Sequence, residues 1–479
     1  MNDNMLKASN QKMVLDQSLS KKGPAALVIM GVTGDLARNK LIPALFRLYR
    51  RKALPEQFFL IGFSRRPLNN SDFAKLITDS LERFSATSQE LAEFIVRATY
   101  IQGNFDNSDS YQNLFTNLVS LSKTTASPLQ VLLYVATPPS VYETIFSQLA
   151  ILEAGATRHL RILIEKPFGH DSRTAAALDR RLGELFTEQQ IFRIDHYLAK
   201  ETVQNIMTFR FANSMFEPIW NREHIERVEI RLLERNDVSN RGNFYHDVGA
   251  LRDVGQNHLL QMLALVAMED PGSFSAVPVR AARARLLSDL VKPTTESIGS
   301  SVCRGQYRNF VGEPGVPEGS ETETYFKIRV GIDNSRWQGV PFFLESGKGV
   351  SESLSDIKVF FKSKPVCFAA SPSVHCGNVV SFRIQPNEGV SVTFWAKRPG
   401  LSTDPEPKTL VVDFAKTNDT SDAYERVLFD AILGDQTLFT STDEVRAAWQ
   451  FITSILTLWK DLPLHKYDKG ASGPVCSLA

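Results

Sequence analysis

Apolar and polar positions follow two different patterns along this chain. Between Ala25 and about residue 195, short apolar runs alternate with stretches of helical spacing. The runs Ala25-Ala-Leu-Val-Ile-Met30, Phe58 to Gly62, Val131 to Ala136 and Arg161 to Ile164 read as buried strands. Leu41, Leu45, Leu48 and Tyr49 recur at helical spacing, and residues 72–83 and 174–185 read as helices. Pro43 lies inside the first of these stretches and should kink or locally unwind it, because proline has no N–H to bond the preceding turn. Strands alternating with helices predict βαβ units and a parallel sheet covered on both faces.

Beyond residue 196 the pattern changes. Residues 228–233, 322–332 and 391–395 read as strands, and 251–268 and 442–458 as long helices. Fewer helices between strands predict a larger, mostly antiparallel β+α domain over residues 196–479. Residues 1–22 have no periodicity and read as a mobile tail without the apolar core of a signal peptide.

Composition adds limits to this picture. A chain of 479 residues, 43% hydrophobic and 22% charged, is an ordinary globular protein of more than one domain. Its net charge of +1 gives no one-signed field to attract nucleic acid or acidic membranes, so any anion site must be a local cluster. No run approaches the roughly 18–20 apolar residues of a spanning helix, and the chain reads as cytoplasmic. Cys303, Cys367, Cys376 and Cys476 lack metal-ligand spacing with histidines. They read as reduced structural thiols, and no metal is expected.

The first apolar run ends in Gly31-Val-Thr-Gly-Asp35 and then a helical stretch. This order brings a diphosphate to the free backbone N–H groups at a helix N-terminus. Gly31 and Gly34 suit the tight turn, and Ala37 lets the helix pack on the sheet. The spacing G-x-x-G-x-x-A departs from the usual G-x-G-x-x-G, and a purely structural glycine turn fits it nearly as well. The second strand separates the two readings. Where an NAD enzyme usually places Asp or Glu for the ribose 2′-hydroxyl, this chain has Gly62-Phe-Ser-Arg65-Arg66. A carboxylate would repel a 2′-phosphate, whereas a guanidinium binds it through paired charge-assisted bonds. Residues 23–195 are therefore expected to form a Rossmann-type domain that holds NADP.

Ile191-Phe-Arg-Ile-Asp195-His196-Tyr197-Leu-Ala-Lys200-Glu201 concentrates Asp, His, Tyr and Lys just after a strand. His196, Tyr197 and Lys200 supply donors suited to a phosphate dianion, and Asp195 is suited to orienting a base. This stretch resembles the RIDHYLGKE signature of the glucose-6-phosphate dehydrogenase family, with Ala199 in place of glycine. Glu165-Lys-Pro-Phe-Gly169, Arg252-Asp-Val-Gly-Gln-Asn-His258, Ile332-Asp-Asn-Ser-Arg-Trp337, Gly339-Val-Pro-Phe342 and Asp422-Ala-Tyr-Glu-Arg426 extend the resemblance from residue 25 to about 460.

The resemblance implies oxidation of glucose 6-phosphate at C1 with hydride transfer to NADP. It implies that His258 removes the C1 hydroxyl proton and that Asp195 stabilises the resulting imidazolium. His196, Tyr197 and Lys200 would hold the phosphate, while Glu234 and Asp253 would accept bonds from sugar hydroxyls. Lys166 falls between cofactor and substrate, followed by the hinge-like Pro167. Gly31, Thr33, Gly34, Asp35, Leu36, Lys40, Arg65, Ala136 and Pro138 fall on the cofactor side. The resemblance also implies a homodimer or homotetramer built on the large second-domain sheet. Whether Lys397-Arg398-Pro-Gly400 marks a second nucleotide site stays open.

The chain departs from the family pattern around the sugar. Glu345-Ser-Gly-Lys348 keeps the lysine but has Glu345 for an arginine, and Glu352 and Ser353 where a second basic residue is expected. His246 stands where aspartate is expected, and Arg235-Asn-Asp237 is atypical. Two competing readings follow: a dehydrogenase of another C6-anionic hexose, such as an amino or sulfo sugar, and a non-enzymatic NADP-binding sensor. A sensor should have lost the base or its partner, and this chain keeps both.

Overall fold

The computed structural model describes residues 23–151, 160–363, 376–401, 404–414, 421–476 and 478. The expected tail, residues 1–22, lies outside them, as does Cys367. The chain divides into two units, one of residues 1–168, 176–196 and 421–442, the other of 169–175, 197–420 and 443–479.

The first unit is built on six parallel strands: β1 (Ala25–Met30), β2 (Phe58–Ser64), β3 (Ala98–Gln102), β4 (Gln130–Val135), β5 (Leu160–Glu165) and β6 (Ile191–Ile194). They lie in the order β6-β5-β4-β1-β2-β3, the doubly wound arrangement of a dinucleotide-binding domain. Every residue of β1 is buried, as expected of a parallel strand covered on both faces. Ahead of Pro43 the chain winds with i→i+5 bonds over Ala37–Leu41, and Pro43 then sits in the first turn of helix Ile42–Arg50. The two segments are continuous, and Pro43 has no N–H to give the turn before it, so the disturbance expected from it lies on its N-terminal side.

A seventh strand, Phe439–Thr440, pairs antiparallel with β6 from far along the chain. Gln436 Nε2 donates to the carbonyls of Glu188 (2.9 Å) and Ile191 (2.8 Å), and the Phe192 and Phe439 rings meet edge to face at 4.8 Å. Residues 421–442, assigned by sequence to the second domain, therefore pack with the first.

The second unit carries a nine-stranded sheet. Its strands are β7 (Ile225–Glu234), β8 (Val302–Tyr307), β9 (Tyr325–Val330), β10 (Phe342–Lys348), β11 (Leu354–Phe361), β12 (Val379–Gln385), β13 (Gly389–Lys397) and β14 (Pro405–Asp413), and, after β15 (Phe439–Thr440) of the first sheet, β16 (Leu464–Tyr467). The order is β14-β13-β12-β11-β7-β10-β9-β8-β16, antiparallel except where β7 meets β10 and β8 meets β16. The stretch expected as one helix over 251–268 is two: i→i+5 winding over Leu251–Leu259, then an α-helix over Leu260–Ala267 whose residues are all buried. Two buried indoles donate to carbonyls at the end of that helix, Trp220 to Val266 at 2.8 Å and Trp337 to Ala267 at 2.7 Å. They satisfy acceptors that a helix C-terminus leaves open.

The cysteines expected as reduced thiols are oxidised at Cys303, Cys376 and Cys476. β16 lies beside β8 and brings Cys476 to Cys303, 173 residues earlier, where the two form a disulfide. Cys376 is disulfide-bonded as well. Only the return of the C-terminal segment to β8 reveals the Cys303–Cys476 pairing, and spacing along the chain hides it.

Candidate functional site

In the first unit the glycine turn is shaped by close backbone approach. Gly31 has φ +86°, and a Cβ there would lie 2.7 Å from the Ala136 carbonyl oxygen, so only glycine fits. Gly31 N–H donates to the Phe63 carbonyl at 2.8 Å and Gly34 N–H to the Gly31 carbonyl at 2.9 Å. Asp35 and Lys40 are exposed beyond the turn, with Thr33 and Leu36 half-buried and Pro138 exposed across from it. Thr33 Oγ1 reaches Ser64 Oγ at 3.4 Å, and Ser64 Oγ lies 2.9 Å from the Tyr100 hydroxyl. The turn is thus tied to the end of β2, where Arg65 and Arg66 are exposed. Lys40 lines a surface cavity with Arg47 and Arg83. A backbone cradle that a Cβ would fill, flanked by exposed arginines, fits a phosphorylated dinucleotide.

The ends of β5 and β6 bring together Glu165, Lys166, Asp195 and His196. Glu165 is half-buried and accepts from the Tyr134 hydroxyl at 2.6 Å, while its carbonyl accepts from Tyr142 at 3.0 Å. Burial raises its carboxyl to about 7. Hydrogen bonds from Tyr134 and Tyr424 and the charge of Lys166 pull it down, and Asp195 pushes it up. Asp195 is buried, and the His196 ring stacks on Tyr424 at 5.9 Å. Glu165 and Tyr424 are two residues of this cluster whose part the sequence reading misses. The signal for Glu165 is a carboxylate closing an apolar strand.

In the second unit the i→i+5 segment carries both Asp253 and His258. Such winding sets residues five apart next to each other, as i and i+4 are in an α-helix, and these two are such a pair. Widened turns of this kind recur at functional sites. The Leu251 N–H at its start donates to Glu323 Oε1 at 2.9 Å. Gly249 just before it has φ +72°, and a Cβ there would lie 2.4 Å from that same oxygen. His258 is buried with its ring 4.2 Å from that of Tyr197, and Lys200 Nζ lies 4.7 Å over the Tyr197 ring. Lys200 is also the N-cap residue of helix Glu201–Phe211, whose first N–H groups favour an anion. Glu234 and Lys348 end the paired strands β7 and β10 in register and form an ion pair.

The departures from the family pattern fall in different places. Glu345 lies three positions from Lys348 on β10 and so points to the opposite face, where it accepts from the Tyr325 hydroxyl at 2.7 Å and pairs with Lys327 at 3.3 Å. The expectation that it alters the sugar half of the site is corrected by this alternation. His246 Nδ1 is 2.9 Å from Ser320 Oγ, and Ser353 Oγ accepts from the Arg235 N–H at 3.0 Å. Lys397 Nζ bonds the carbonyls of Arg398 and Gly400 within its own turn. Among the described residues no cluster of histidine, cysteine and carboxylate side chains is placed to hold a metal, and no helix is long and apolar enough to cross a membrane.

Comparison with known proteins places this geometry. Residues 28–205 match the family described as glucose-6-phosphate dehydrogenase, NAD binding domain, and residues 207–478 match its C-terminal domain. The chain belongs to the glucose-6-phosphate dehydrogenase family. It is 38% identical over 461 residues to glucose-6-phosphate 1-dehydrogenase of Borreliella burgdorferi, covering 94% of this chain and 95% of that one. It is 39% identical over 473 residues to that of Aggregatibacter actinomycetemcomitans, covering 94% of each chain. A solved glucose-6-phosphate dehydrogenase in complex with its substrate superposes with a TM-score of 0.87 at 31% identity, covering 95% of this chain and 96% of that one. The chain is thus an NADP-dependent oxidoreductase with the family's activity on glucose 6-phosphate.

Proposed function

We propose that His258 removes the C1 hydroxyl proton of glucose 6-phosphate as C1 gives up its hydride, leaving 6-phosphoglucono-1,5-lactone. NADP, when bound, supplies the hydride acceptor, and the Gly31 turn, Lys40, Ala136, Pro138 and Arg65 are the residues that would hold it. Asp195 would stabilise the imidazolium formed on His258, and Lys166 would serve both cofactor and sugar. The reading is carried by the Tyr197 ring packed 4.2 Å from His258 with Lys200 over it. A phenol and an ammonium suited to a phosphate dianion lie beside the base, with His196 as their neighbour in sequence. Glu234, Asp253 and Lys348 would read the sugar hydroxyls. A homodimer or homotetramer and a cytoplasmic location belong to the same reading and rest on family membership.

The test is NADPH formation from glucose 6-phosphate, free glucose, glucosamine 6-phosphate and a C6-sulfonated glucose, with wild type and His258→Ala. Glucose 6-phosphate should give the highest kcat/KM. His258→Ala should lower kcat by about 10²–10⁴-fold, the usual contribution of a general base, with NADP affinity little changed. A different preferred hexose would redirect the substrate assignment, and a near-normal kcat would remove His258 as base.

A further inference from the structure

The residues after β16 run back across the loop that follows Lys348. The Tyr467 hydroxyl donates to the Lys348 carbonyl at 2.6 Å and lies 2.9 Å from Thr324 Oγ1. Gly470 N–H donates to the Gly349 carbonyl at 2.7 Å, and Ser351 N–H donates to the Ala471 carbonyl at 2.8 Å. Lys469 Nζ bridges Asp237 at 2.6 Å and Glu313 at 2.7 Å. This hydrogen bond from Lys469 holds the Asp237 carboxyl below its usual range. Seven residues beyond Lys469, the Cys476 disulfide to Cys303 closes the segment onto β8.

The other side of this contact is the stretch that departs from the family pattern. Arg235 donates from Nε (3.1 Å) and Nη2 (3.0 Å) to the Ser351 carbonyl, and its N–H to Ser353 Oγ at 3.0 Å. Gly349 N–H donates to the Asn236 carbonyl at 3.0 Å, and Val350 N–H to the Glu234 carbonyl at 3.2 Å. Both ends of the Glu234–Lys348 ion pair are therefore anchored by one loop, and the C-terminal segment is bonded along it. Asp237 and Ser353, which have no assigned part in substrate binding, serve this contact.

We propose that residues 464–476 are a strap that positions Glu234 and Lys348 for the sugar, with Tyr467 and Lys469 as positioning residues. This rests on the reading of Glu234 and Lys348 as sugar ligands.

Steady-state kinetics of Tyr467→Phe, Lys469→Met, Lys348→Ala and the two combinations with Lys348→Ala test it, with thermal melts to identify folded protein. Tyr467→Phe should raise KM for glucose 6-phosphate about three- to tenfold, the worth of one net hydrogen bond, while KM for NADP stays the same. Lys469→Met should act in the same direction, and it applies where Tyr467→Phe does not fold. Neither should add to the defect of Lys348→Ala, since both act through that residue. An unchanged sugar KM in both single variants, full additivity with Lys348→Ala, or a parallel rise in the NADP KM would overturn the strap. If Lys348→Ala itself left the sugar KM unchanged, the sugar-ligand reading would fail first.

Discussion

Arg65 and Arg66 follow β2 with exposed side chains, while the backbone beneath them is fixed: the Tyr100 hydroxyl donates to the Ser64 carbonyl at 3.0 Å and the Arg66 carbonyl at 2.5 Å. A guanidinium on so rigid a base can meet a 2′-phosphate with little loss of freedom on binding. Charge-assisted bonds worth roughly 1.5–3 kcal/mol imply about ten- to hundredfold preference for NADP over NAD. Arg65→Ala should erase most of that ratio in kcat/KM by harming NADP alone. Equal wild-type values for the two cofactors, or a ratio untouched by the substitution, would refute it. That Arg65 follows a strand and that Gly31 makes a tight turn was legible because both signals are local: an apolar run and the glycine that ends one. Glu345 and the cysteines were misread for the opposite reason. The face a strand residue occupies depends on register, and a disulfide depends on where two distant segments meet.

Periodicity located the elements but not their irregularities. It predicted one helix over 251–268, because residues 254–267 are buried all round and leave no exposed face whose period would separate i→i+5 from i→i+4 winding. What marks the start of the i→i+5 winding is Gly249 and the buried Glu323, which receives the Leu251 N–H. That glutamate lies 74 residues later, on the approach to β9, and no local pattern announces it. Burial raises its carboxyl to about 7, against the hydrogen bond from Leu251, a further backbone bond and the charges of Arg252 and Arg304. The folded state therefore holds a proton that the unfolded chain releases near its ordinary value of 4.5. The stability this proton contributes is complete below that value and lost as pH rises through about 7. Glu323→Gln keeps the acceptor and cannot ionise. Urea unfolding at pH 5 and pH 8 should show wild type losing roughly 3 kcal/mol relative to the Gln variant across that interval. A constant difference between the two would mean that the carboxyl is ionised in the fold throughout.

At the scale of the whole chain, the two-unit plan was legible because parallel and antiparallel sheets leave different apolar patterns. The return of residues 421–442 to the first unit was not, since a strand of two residues has no periodicity to detect. Its weight in the fold is nonetheless large. Val427, Leu428, Ile432, Leu438 and Phe439 are all buried. At roughly 1.5–3 kcal/mol each they stabilise the unit by about 8–15 kcal/mol. That is comparable to the whole margin of about 5–15 kcal/mol that holds a domain folded. Polar contacts point the same way: Arg161 Nη1 donates to the carbonyls of Ala431 at 2.8 Å and Ile432 at 3.0 Å, and buried Arg193 reaches Thr442 Oγ1 at 2.7 Å. A fragment of residues 23–205, which contains the full match to the nucleotide-binding family domain, should therefore fail to unfold cooperatively in urea and should not bind NADP. Joining residues 23–196 through a flexible linker to 421–442 should restore both properties, because β6 regains its neighbour and the apolar face its cover. A stable, NADP-binding 23–205 fragment would show that β1–β6 suffice and that the returning segment only decorates the sheet.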